Sequence, residues 1–149
     1  MEQAAKMFGP FFMHMYAVIG NLSKEFYNKF GDEALPIITK VSLESGAKSA
    51  EMMQSMLKSK DMKSIAELFK MWEMMGMKFE ILSVSDDMLH FKTPKCVPGI
   101  ENTSKALCEA MMNSDKAMVG TLLGKEVTVK IPKSMASGDE YCEVIFTTK

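Results

Sequence analysis

The chain has 149 residues, 47% of them hydrophobic and 25% charged, with a formal net charge of -1 at pH 7. That length suits one domain spanning residues 1–149 with a full apolar core. Its 18 basic residues balance 19 acidic ones, which excludes the clustered positive charge that nucleic acid or an anionic membrane surface requires of a main partner.

The first 76 residues carry a helical period. Pro10 suits the first turn of a helix on which Phe11, Phe12, Met15, Ile19 and Leu22 recur as one apolar stripe, with Gly31 as its stop. Residues 7–23 carry no formal charge, but Pro10, His14 and Asn21 interrupt them, and a membrane span needs about 20 apolar residues. The stretch therefore reads as a buried helix. Glu2 stands where a signal peptide would be positive, so cytoplasmic residence is expected. A second helix begins near Asp32 and tolerates Pro36 only in its first turn. Ala34, Ile37, Ile38 and Val41 form its early stripe, continued by Ala47, Ala50, Met53 and Leu57. Its middle, residues 42–47, is small enough for another helix or a ligand to approach the backbone closely, and it suits a contact across a homodimer. Ser64 and Glu67 match a capping box opening a third helix, on which Ile65, Leu68, Phe69, Trp72 and Met75 share a face before Gly76.

From Met77 the period changes to two. Phe79 and Ile81 alternate with polar residues, Asp86-Asp87 marks a turn, and Leu89, Phe91 and Thr93 alternate again, which predicts a β-hairpin. A loop with Pro94 and Pro98 follows, then helical signals from about Asn102 to Leu123, with Gly124 as the stop. Val127, Val129 and Ile131 predict a third strand, and Cys142, Val144 and Phe146 a fourth, separated by Pro132 and a turn over 134–140. Three helices (residues 1–76) followed by a β-β-α-β-β unit (77–149) place the chain in the α+β class, with an antiparallel sheet packed against helices.

No arginine occurs, so a bound carboxylate must be held by lysines, backbone N–H groups or hydroxyls. Seventeen methionines suit a core, or a pocket for apolar ligands. On the long helix Cys108, Met112, Asp115 and Val119 lie at i, i+4, i+7 and i+11, on one face. Either Asp115 caps a break in this helix with Asn113 and Ser114, or, in a continuous helix, it faces the sheet as an acid, a base or a ligand anchor. Cys96, Cys108 and Cys142 are an odd number without a C-x-x-C pair, which points to free thiols in a reducing compartment. Structural burial is the simpler role for them. Zinc held by the three, with His90 or Asp115 as fourth ligand, is the alternative, and haem on His14 is another; no cofactor is assigned.

The run His90-Phe91-Lys92-Thr93-Pro94-Lys95-Cys96, then Leu107-Cys108-Glu109, Asp115, and Gly138-Asp139-Glu140-Tyr141-Cys142-Glu143-Val144-Ile145-Phe146 resembles the C-terminal signature of the L-2-amino-thiazoline-4-carboxylic acid hydrolase-like family. The Gly-Asp-x-x-Cys ending is also similar to the vinyl-reductase-type small-molecule-binding domain, whose fold is shared with trafficking-complex subunits. The resemblance implies ring-opening of a small cyclic amidine at a C–N bond, with Asp115 and Cys108 as catalytic groups. It further implies ligand contacts from Cys96, Cys142, Lys95, Lys133 and His90. Lys133 and Ser134 stand where many members carry arginine before the Gly-Asp ending. The second likeness implies a non-catalytic sensor or scaffold module for a small or hydrophobic ligand.

Overall fold

The computed structural model describes residues 2–149. Helix α1 (Glu2–Phe30) runs straight through Pro10, and Gly31, at φ +60°, turns the chain through a 3-10 turn (Gly31–Glu33) into α2 (Ala34–Met53). Pro36 falls in the first turn of α2, where its missing N–H has no partner to lose. The helix ends at Met53, before Leu57, whose backbone is already extended. Helix α3 (Met62–Glu73) opens on Asp61, whose carboxylate accepts from Ser64 N at 2.8 Å. The cap is thus one turn earlier than the Ser64–Glu67 pattern suggests, and the Ser64 hydroxyl is spent on Ser59 N at 3.2 Å.

Strands β1 (Glu80–Val84) and β2 (Met88–Thr93) form the hairpin, α4 (Lys105–Leu123) crosses over, and β3 (Val127–Lys133) and β4 (Cys142–Thr148) complete a four-stranded antiparallel sheet. The spatial order is β1-β2-β4-β3. Strand β3 continues through Pro132 rather than stopping at it, because β3 is an edge and a proline there removes no ladder bond that a neighbour needs; the register slips between Lys130 and Lys133. Helix α4 is unbroken, capped by the Ser104 hydroxyl on Ala106 N and closed by Gly124 at φ +64°. Asn113 bonds back to the carbonyls of Glu109 and Ala110 and needs no helix break.

One core cluster lies between the sheet, α3 and α4. Phe69 is its centre, with ring centroids of Phe79 and Phe91 both 5.2 Å away and Phe146 at 6.3 Å. A second cluster joins Ala34 and Ile38 of α2, Leu107 and Ala110 of α4, and Cys96, Ile100 and Ala136 of the connecting loops. Gly46 of α2 rests on the Ser114 backbone of α4 so closely that a Cβ would collide with the Ser114 carbonyl. The small stretch 42–47 is therefore used inside the chain.

The reading of residues 7–23 as a buried helix is overturned. Gly9 and Gly20 face the body, against the backbones of Met75 and Pro98, while Phe11, Met15, Ile19 and Leu22 are exposed. Ile37 and Val41 of α2 are exposed as well, and Ala34, Ile38, Gly46 and Ala50 make its buried side. Among the described residues no helix is long and apolar enough to cross a membrane.

Candidate functional site

Alternation along β4 turns Cys142, Val144 and Phe146 toward the helices, and antiparallel pairing sets Cys142 opposite Thr93 of β2. The loop leaving β2 then brings Cys96 back against it. The two thiols are in hydrogen-bond contact, the Cys96 S–H donating to Cys142. Met135 N, in the 3-10 turn Met135–Ser137, also donates to Cys142 Sγ, at 3.4 Å. Two donors on one sulfur favour its thiolate and lower the Cys142 thiol below the ordinary thiol range. Cys96 is pushed far up, first because it would have to surrender the proton it donates and second by burial.

The third thiol, Cys108, is half-buried on α4 and takes a hydrogen bond from the Ser134 hydroxyl. Burial nonetheless raises its pKa, assisted by the charges of Cys142, Glu109 and Asp115. Ser134 itself is buried and positioned by its neighbours: its N–H donates to Asp139 Oδ2 at 2.8 Å, and its hydroxyl accepts from Ala136 N at 3.2 Å. The Gly138-Asp139 motif is thus the brace that sets Ser134 beside the thiols.

Two turns along α4, Asp115 is raised to about 6 by burial, opposed only by its own backbone N–H. Its titratable neighbour is Tyr16 of α1, whose phenol is pushed up to about 12, first by burial and then by the Asp115 charge. Asp115 therefore carries negative charge at neutral pH in a setting that resists it, whereas Cys108 stays protonated. That combination, a strained base and a protonated thiol on one helix face, suits proton transfer in both directions.

The remaining expected site residues lie elsewhere. His90 points from the opposite face of the sheet, where its Nε2 meets Glu143 Oε1 at 2.7 Å. Its neighbours in β2, Leu89 and Phe91, take the buried face, so strand alternation forbids His90 from joining the thiols. Lys95 is exposed on the loop, and Lys133 is exposed at the end of β3, its Nζ 4.5 Å from the centroid of the Tyr141 ring. No group of three or more His, Cys, Asp or Glu side chains is disposed to hold a metal ion among the described residues. The Cys96–Cys142 and Cys108–Ser134 pairings instead direct the sulfurs to other partners. A cavity of about 210 Å³ opens between α4 and β3, lined by Glu109, Met112, Asn113, Lys116, Val129 and Ile131. It borders the Cys108–Asp115 face of α4, with Met112 common to both.

Sequence reasoning missed Ser134, the Met135 N–H and Tyr16. Ser134 had a signal, a hydroxyl two residues before Ala136 in the turn that leads to Gly138; Tyr16 had none.

Among solved structures, the chain is similar to the phenol-responsive sensory domain of the transcription activator PoxR with phenol, at 18% identity and a TM-score of 0.65, covering 89% of this chain and 74% of that one. It is also similar to a trafficking protein particle complex subunit 3 from Naegleria fowleri covalently bound to palmitic acid, at 14% identity and a TM-score of 0.41, covering 99% of this chain and 94% of that one. No curated protein sequence matches it. The family model of L-2-amino-thiazoline-4-carboxylic acid hydrolase matches residues 6–146, and the chain belongs to that family.

Proposed function

We propose that the chain binds a small cyclic amidine, such as an aminothiazoline carboxylate, beside the Cys96–Cys142 pair and hydrolyses it. The observation that carries this reading is the placement of Asp115 and Cys108 two turns apart on one face of the unbroken helix α4, where burial raises the pKa of both. Asp115 takes a proton from water as its oxygen adds to the amidine carbon, while Cys108 protonates the ring nitrogen; the added hydroxyl then gives its proton to that nitrogen as the C–N bond breaks and the carbonyl forms, and solvent relays the proton on Asp115 back to Cys108. Membership of the hydrolase family supports the same chemistry. Incubation with 2-aminothiazoline-4-carboxylate, followed by mass spectrometry, is expected to show a product heavier by one water, and Asp115→Asn is expected to abolish it.

A second reading, a ligand-responsive module without turnover, is favoured by the overall likeness to the phenol-responsive PoxR domain. In that case small aromatic molecules raise the melting temperature through linkage, and no ring-opened product forms.

A further inference from the structure

We propose that a second copy of this chain packs antiparallel on the outward face of α1, about a two-fold axis through Met15. Phe8, Phe11, Met15, Ile19 and Leu22 are all exposed on this face, Phe8 at 56%, Phe11 at 64% and Leu22 at 66%. The helix cannot roll to bury them, because Gly9 and Gly20 hold its other side against the backbones of Met75 and Pro98 with no space even for a Cβ.

The area matches what a dimer needs. With Met7, these side chains leave about 700 Å² of apolar surface in solvent, taking ~200 Å² for each large side chain when fully open. The largest patch on a typical monomer is about 300–600 Å², and each partner in a standard interface contributes about 800 Å².

The order of the residues selects a second copy over another apolar partner. The five positions lie at -7, -4, 0, +4 and +7 from Met15, a spacing that reads the same in both directions. Antiparallel pairing about Met15 therefore puts Phe8 against Leu22, Phe11 against Ile19 and Met15 against itself, a larger ring meeting a smaller aliphatic on either side of the axis. Residues 7–23 carry no formal charge, so the pairing brings no like charges together along about 25 Å of helix. An isologous contact of this kind closes on itself and leaves no free face for further growth.

Sedimentation of the full chain is expected to show a dimer. Met15→Glu sets two carboxylates against each other on the axis and should weaken self-association by a factor of about 100 or more, with circular dichroism unchanged because the site is on the surface. Met15→Cys should crosslink to itself on mild oxidation, beyond any background from the unsubstituted chain. Leu22→Cys should crosslink only when mixed with Phe8→Cys. A monomer at high concentration overturns the proposal, as does a dimer in which Met15→Glu and Met15→Cys have no effect. Binding of the monomer to phosphatidylcholine vesicles also overturns it, and assigns the face to lipid.

Discussion

Cys96 and Cys142, one on the loop after β2 and the other opening β4, meet thiol to thiol, and the Met135 N–H completes the hold on Cys142. The pair therefore has one sulfur that ionises more readily than an ordinary thiol and one that resists ionisation. Alkylation with a small neutral reagent is expected to label Cys142 with a rate that climbs at lower pH than for an ordinary thiol, while Cys96 stays unlabelled in the native chain. Peptide mapping checks this. Removing the donor in Cys96→Ala should move the onset of labelling upward, toward the ordinary thiol range.

Asp115 makes an opposing prediction for stability and activity. Its folded-state pKa is raised from 3.8 to about 6, so between those values the folded chain holds a proton that the unfolded chain has lost. The contribution of this group to stability is therefore greatest below that window and falls as pH rises through it. Asp115→Asn should raise the stability at pH 7 by on the order of 2 kcal/mol and flatten the pH dependence between 4 and 6. Under the hydrolase reading the same variant loses a factor of about 10²–10⁴ in rate. Denaturant titration and turnover, measured together, check whether stability and activity move in opposite directions.

The crossing of α2 and α4 is set by the absence of a side chain. Gly46→Ala has to push the two helices apart at Ser114, and overpacking of this kind typically costs about 1–3 kcal/mol, occasionally more. Because α4 carries Cys108 and Asp115, the same variant should also disturb ligand binding. Gly31→Ala is a useful contrast, since nothing lies within 4 Å of its Cβ position and only its φ of +60° is strained. Chemical denaturation of both variants should rank Gly46→Ala as the more damaging.

His90 offers a control. Its hydrogen bond with Glu143 lies on the far face of the sheet from the thiols, so His90→Ala should leave turnover and Cys142 alkylation unchanged, with a stability loss of about 1 kcal/mol. Phe69→Ala, by contrast, removes the ring around which Phe79, Phe91 and Phe146 pack, and should cost about 3–5 kcal/mol.

The α+β class and the four strands were legible because strand alternation and the glycines at 31, 76 and 124 are local signals. The face that each helix buries was not. An amphipathic period on α1 announces an apolar stripe but says nothing of what covers it, and the close approach of the other side rests on Gly9 and Gly20, whose missing side chains no apolar stripe registers. Within the candidate site, Cys108 and Asp115 were legible as one helix face. The meeting of Cys96 with Cys142 depends on β4 pairing with β2, a long-range register that no local spacing encodes, and Tyr16 reaches Asp115 from a helix about a hundred positions away. His90 was misplaced because a motif names neighbours in sequence, while a strand sends them to opposite faces.

Strand β4 lies between β2 and β3, yet it follows every other strand in the chain. During synthesis the β1–β2 hairpin and β3 must therefore wait, each with an open edge toward the vacant centre, until residue 148 has left the ribosome. Phe91 and Val129, paired in the finished sheet with β4 residues Val144 and Phe146, stay uncovered for that interval. A nascent chain arrested before Thr148 should be protease-sensitive and prone to edge-to-edge association, and should acquire its resistance only as the final strand slots in.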